Sequence, residues 1–222
     1  MNPPVEVQRL RIVFAKQAGL RYISHLDLMR AWERALRRAR LPVAHTQGFN
    51  PRPRLLFAAA LAVGWTGRAE MVDLFLEQRV DLRLAGPALL AQLPPGLDVT
   101  GISEVDLALP NLPAQVIAAE YRIELEPGPS AEELQERVTR LLRAPSLPRR
   151  RERPDGVRSY DLRPLVQDLR FAGLEHGHPV LRARLQADGT ATGRPDELVD
   201  ELGLSQYLRS IERVQILFKP GA

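Results

Sequence analysis

Four stretches of this 222-residue chain carry residue types that can do chemistry. The first is Ser24-His25-Leu26-Asp27. A histidine close to a carboxylate at a helix start can act as a general base or hold a phosphate, and neighbouring Arg21 and Arg30 suit a phosphoester. The same residues also spell a capping box, with Asp27 in place of the usual Glu, which gives Ser24 and Asp27 a purely structural task. The second stretch is His45–Arg54 (HTQGFNPRPR). Here Gln47 and Asn50 can read base edges, Arg52 and Arg54 can neutralise phosphates, and Phe49 can stack on a base. His45 is a further acid–base candidate. The competing expectation is a proline-stiffened crossover with Phe49 anchored in the core. The third stretch is His176-Gly177-His178, where only Glu175 stands near, so no zinc set is complete and no metal site is expected. The fourth is Gly189–Pro195 (GTATGRP) before a helix. Glycines there can cradle phosphate, but no Gly-Lys-Ser/Thr follows, so a nucleoside-triphosphate loop is rejected and a plain hairpin is the simpler expectation.

The elements that must position these residues follow from periodicity. Arg9–Lys16 alternates, with Leu10, Ile12 and Phe14 on one face and Arg9, Arg11 and Val13 on the other, as in a half-buried strand. A helix is predicted over 25–40, with Leu28, Met29, Trp32, Leu36 and Ala39 as its buried stripe and Pro42 as its stop. Its polar side stacks Arg30, Arg34, Arg37 and Arg38. Strands are expected over 55–63 and 70–78, a helix over 87–93 and a strand over 97–105. Residues 107–114 read as a proline-rich linker. The pattern then recurs, with a strand over 120–126, a Ser130-capped helix to about residue 143, a short helix over 161–166, a hairpin of 169–174 with 180–186, a helix over 195–202 and a strand over 211–218. The fold class is therefore α+β, as two tandem ferredoxin-like β-α-β-β-α-β domains, residues 1–113 and 114–222.

Composition narrows the chemistry. At 45% hydrophobic and 26% charged residues, the chain has globular values. There is no cysteine, which excludes disulfides, Cys-ligated zinc, Cys-held iron–sulfur clusters and cysteine nucleophiles. No apolar run approaches the roughly 20 residues of a membrane helix, and MNPPVEVQRL lacks a leader pattern, so a cytoplasmic protein with no membrane partner is expected. The formal charge of +4 is uneven. Residues 1–60 carry +8, 61–148 carry −6 and 149–222 carry +2. A region at +8 suits phosphate-rich partners, or else the acidic surface of another protein. Aromatic residues make up only 5%, and Phe14 is in phase with the inward face, so a base-stacking sheet of the RNA-recognition-motif kind is not expected.

Three strings together resemble a known bacterial family: RYISHLDLMR (21–30), RALRRA (34–39) and QGFNPRP (47–53). The chain is similar to the radical-SAM-linked family of unknown function, whose members occur alone or fused behind a cobalamin-binding radical SAM protein. The likeness is strong over 9–77 and is supported later by Asp161-Leu162-Arg163 and Arg194–Leu198. It implies a radical SAM partner holding the iron–sulfur cluster, S-adenosylmethionine and cobalamin, with no cofactor in this chain, and it transfers no catalytic residue. A second, fold-level likeness is to the RAMP superfamily, which includes CRISPR-repeat endoribonucleases. The leading expectation is a non-catalytic accessory protein that binds RNA or presents a phosphate-rich substrate. Its binding residues would be Arg21, Arg30, Arg34, Arg37, Arg38, Gln47, Phe49, Asn50, Arg52 and Arg54. The alternatives are a metal-independent RNA-processing or RNA-modifying enzyme using His25 (with Asp27) or His45, and a protein-binding adaptor.

Overall fold

Alternation along the first strand, β1 (Gln8–Lys16), sends Leu10, Ile12 and Phe14 into the core, where each is at most 2% exposed. The computed structural model describes residues 6–153 and 156–221. Residues 1–5, part of the stretch read for a leader pattern, lie outside it. The chain divides into two compact units, residues up to 116 with those from 218 onward, and residues 117–217. Both are α+β. Among the described residues, no helix is long and apolar enough to cross a membrane.

In the first unit β1 is followed by α1 (His25–Arg38), β2 (Leu55–Phe57), β3 (Thr66–Leu76), α2 (Leu82–Leu90), β4 (Leu97–Val105) and a single turn, α3 (Leu112–Gln115). The spatial order is β4-β1-β3-β2, with each neighbouring pair antiparallel. The amphipathic α1 lays Leu28, Ala31, Trp32, Ala35 and Leu36 against the face that bears Leu10, Ile12, Phe14, Val72, Leu74 and Leu76. Phe14 meets Trp32 edge-on, with ring centroids 5.1 Å apart. Leu89 of α2 joins the same core.

Several elements depart from their expected bounds for physical reasons. The apolar run 55–63 forms only a three-residue strand, and β3 begins at Thr66 instead of 70. The helix expected at 87–93 starts at Leu82, because the Asp81 carboxylate accepts from the Arg83 amide at 2.9 Å and caps it there. Pro87 therefore lies inside the helix and not at its first turn. α1 stops at Arg38, before Pro42 is reached. Arg40 adopts φ +54°, its amide donates to the Arg37 carbonyl at 3.2 Å, and that of Leu41 donates to the Leu36 carbonyl at 3.3 Å. These two bonds form a Schellman closure, with arginine where glycine is usual.

The largest departure concerns the other face of β1. Arg9 was expected on an open face and is 1% exposed. Its Nε and Nη2 donate to Asp73 Oδ2 at 2.9 and 2.6 Å. Its Nη1 and Nη2 donate to the carbonyls of Leu109 and Pro110 at 2.6 and 2.9 Å. Arg11 Nε donates to the second Asp73 oxygen at 3.0 Å. Residues 107–114 are thus no free linker; their carbonyls close over a buried charge, and Leu112 is fully buried.

The second unit runs β5 (Val116–Leu125), α4 (Ala131–Arg143), β6 (Pro148–Arg153), β7 (Gly156–Asp161), β8 (Val166–Glu175), β9 (His178–Gln186), α5 (Pro195–Glu201) and β10 (Leu208–Phe218). Its main sheet has the order β10-β5-β9-β8. Residues 149–153, four of them arginine, fall in β6, which pairs with β7 as a separate hairpin, and the short helix expected over 161–166 is only a 3-10 turn, Arg163–Leu165.

Asp73→Ala should cost about 3–5 kcal/mol of stability, because it strands two guanidinium groups, one fully buried. Arg140→Ala, in an exposed pair with Glu136, should cost no more than about 0.5 kcal/mol. Urea titration of both variants beside the parent checks the contrast.

Candidate functional site

The C-terminal half of α1 and the loop that follows it enclose a cleft of about 460 Å³. One wall is helix, where Glu33, Arg34 and Arg37 follow at intervals that keep them on one side, and Arg40 adds to it from just past the helix end. The opposite wall is His45, Pro51 and Pro53, and the floor is apolar: Leu36, Leu41 and Val43. The left-handed turn at Arg40 brings that residue round to the helix wall. A non-glycine residue in this conformation costs roughly 1–2 kcal/mol.

The loop is mounted rigidly. The amide of Ala44 donates to the Phe75 carbonyl at 2.8 Å, and that of Arg54 donates to the Ala44 carbonyl at 2.7 Å. Higher up, Thr46 N–H donates to the Arg52 carbonyl at 2.8 Å, and Arg52 N–H donates to the Thr46 hydroxyl at 3.1 Å. Between these rungs the chain turns through Gly48 at φ +130°, a value a side chain rarely allows. Gln47, Asn50 and Arg52 are exposed, and Phe49 stands wholly in solvent at 106% of its reference area. The expectation that Phe49 anchors the loop in the core therefore does not hold.

The ten candidate binding residues divide. Arg34 and Arg37 line the cleft with His45, and Gln47, Phe49, Asn50 and Arg52 belong to the loop that walls it. Arg38 lies outside the cleft and lines with Arg34 a second hollow of about 390 Å³ against residues 91–95. Arg30 pairs with Asp27 at 3.2 Å. Arg21 stacks on its neighbour Tyr22, 4.7 Å above the ring, and donates to its hydroxyl. Arg54 is bound to Glu6 and lies 4.3 Å over Phe75. Among the described residues, Arg34, Arg37, Arg38, Arg40 and Arg52 make no ion pair. Arg40 was missed by sequence reasoning, which ended the helix at Pro42 and took the residue for ordinary helix. Glu33 is the acidic member of the lining.

The histidine candidates are placed differently. His45 is on the cleft rim. His25 is half-buried, edge-on to Phe57 at 5.2 Å. Asp27 accepts from the Ser24 hydroxyl at 2.7 Å and from Arg30, and these bonds, that of Ser24 first, hold its carboxyl below the usual range. Ser24 in turn accepts from the Asp27 amide at 3.1 Å, so the capping role is occupied. In the second unit, His176 and Gly177, both at positive φ, make the β8–β9 turn, and His178 Nδ1 lies 3.2 Å from the Leu125 carbonyl. Among the described residues, no three His, Asp or Glu gather to hold a metal.

The Gly189–Pro195 loop borders a hollow of about 240 Å³ beside Arg151 and Tyr160. Two of its amides and a hydroxyl are already committed: Asp188 Oδ1 accepts from the N–H of Thr190 and Ala191 at 2.8 and 3.0 Å and from the Thr190 hydroxyl at 2.6 Å. Arg151 is matched to Glu197 at 2.9 Å. This is a self-satisfied turn and not a phosphate cradle. The Thr190 hydroxyl, then the Ala191 amide, hold the Asp188 carboxyl down to about 2. A depressed carboxylate stabilises its turn above its ordinary pKa of 3.8 and loses that effect as pH falls towards about 2. The amide resonances of Thr190 and Ala191 should therefore titrate with a midpoint of about 2, and Asp188→Asn should abolish that step in a pH series of heteronuclear NMR spectra.

A family model described as an uncharacterized protein conserved in bacteria (DUF2344) matches residues 9–195. No curated protein matches the chain. Among solved structures, a Cbf5-Nop10-Gar1 complex matches at 11% identity and a TM-score of 0.50, over 93% of this chain and 48% of that one. The archaeal box H/ACA sRNP Nop10-Cbf5 complex matches at 10% identity and a TM-score of 0.47, over 98% and 50%. The chain spans about half the length of these two, and at such identity the likeness concerns backbone fold alone.

Proposed function

Since the chain belongs to the DUF2344 family of bacterial proteins, we propose a function from the cleft itself: an accessory, non-catalytic protein that holds RNA or another phosphate-rich substrate against α1. The observation that carries this reading is the set of unpaired guanidinium groups, Arg34, Arg37 and Arg40, gathered on one wall of a cleft whose opposite wall is a stiff polar loop. Guanidinium is the side chain best matched to phosphate oxygens. On the main sheet of the second unit, by contrast, Arg184 is bound to Glu120 at 2.6 Å, and Arg122 and Arg182 share Glu175 at 2.8 and 2.9 Å.

The β-α-β-β-α-β succession and the matching strand orders support reading each unit as ferredoxin-like. The partner implied by the family resemblance is a radical SAM protein that carries the cluster, S-adenosylmethionine and cobalamin. With no cysteine, this chain has no thiolate to hold such a cluster and would serve the partner by binding substrate.

Salt dependence tests the reading. Each phosphate neutralised on a single strand should steepen the plot of log affinity against log salt by about 0.7. Arg34→Ala with Arg37→Ala should lower that slope by roughly 1.4, while His25→Ala leaves it unchanged. Arg40→Gly should weaken binding while leaving the melting temperature equal or higher, because glycine relieves the left-handed strain. Slopes that ignore all three arginines, measured by fluorescence anisotropy with a labelled RNA 12-mer, would sink the proposal.

A further inference from the structure

Phosphate binding explains the guanidinium groups but not two other features of the same place. One is the apolar floor of Leu36, Leu41 and Val43. The other is Phe49, which no described large apolar side chain exceeds in exposure. A phenyl ring left in water forgoes its burial, and a slack loop would fold it inward. This loop cannot relax in that way, because the Thr46–Arg52 rungs and two prolines hold its tip outward. The ring is therefore presented, beside a cleft that is basic on its wall and apolar on its floor.

Such a surface suits a ligand with anionic and flat apolar parts in alternation. Nucleotides have this form, but in a duplex the base faces are stacked on one another and hidden, whereas in a single strand they are free to leave the stack. A cleft of about 460 Å³ is also on the scale of one nucleotide, far below a double helix. We infer that the site takes single-stranded nucleic acid: one nucleotide enters the cleft with its base over the apolar floor and its phosphate facing Arg34 and Arg37, and a neighbouring base stacks on Phe49. This deepens the phosphate-binding reading, on which it rests, by specifying the strand state and the contact made to the bases.

The test uses the full chain with three probes: a single-stranded RNA 12-mer, the duplex of the same sequence, and heparin, which has charge but no bases. The single strand should bind more tightly than the duplex. Phe49→Ala should weaken single-strand binding by about 5- to 150-fold, the range of one aromatic–base stack, without changing the salt slope or heparin binding. Phe49→Tyr should restore affinity, and Phe49→Trp should add a fluorescence signal quenched by the single strand but not by heparin. The ring touches solvent only, so folding should be untouched, which circular dichroism checks. If the duplex binds equally well and Phe49→Ala is neutral while the arginine variants still lose affinity, the strand-state inference falls and the phosphate reading stands. If none of the three polyanions binds with salt dependence, both fall.

Discussion

The shape of the cleft hangs on a short exchange of backbone hydrogen bonds at the end of β3. Phe75 gives its carbonyl to Ala44 and its amide to Arg54, so both legs of the loop are tied to one residue of the sheet. Its ring is also where the guanidinium groups of Arg9 and Arg54 lie, at 5.2 and 4.3 Å. Two residues away, Asp73 gathers Arg9 and Arg11. The strand that supports the loop is thus anchored through a charge cluster closed off from water, where screening by salt is weak. A loop on such a mount can carry polar and aromatic groups outward without collapsing on itself.

Much of the fold was legible because its signals are local. Ser24 and Ser130 mark helix starts by side-chain bonds to amides three residues on, and a sequence displays that spacing directly. Alternation placed Leu10, Ile12 and Phe14 correctly. What could not be read depends on partners distant in the chain. Nothing near Arg9 tells that the carbonyls of residues 109 and 110 will receive it, a hundred positions later. For Arg149 and Arg151, likewise, the strand partner and the facing carboxylates come from residues 156–161 and 197–201.

The candidate site shows the same division. Helical spacing correctly set Arg34 and Arg37 on one side. The same spacing could not separate them from Arg38, which lies outside the cleft, or from Arg30, whose charge is met within its own turn. Arg40 escaped because composition gives no hint of positive φ in an arginine. Phe49 was ambiguous for a related reason: hydrophobicity argues for burial, and only the cross-loop hydrogen bonds decide that the ring stays out.

The helix wall of the cleft draws its positive charge from guanidinium alone, in a chain with only two lysines, Lys16 and Lys219. Guanidinium does not lose its proton at any pH a cell survives, and it is no substrate for lysine acylation. For the polyanion proposed above, affinity at this wall would follow ionic strength and competition from other polyanions, and not deprotonation or acylation of these side chains.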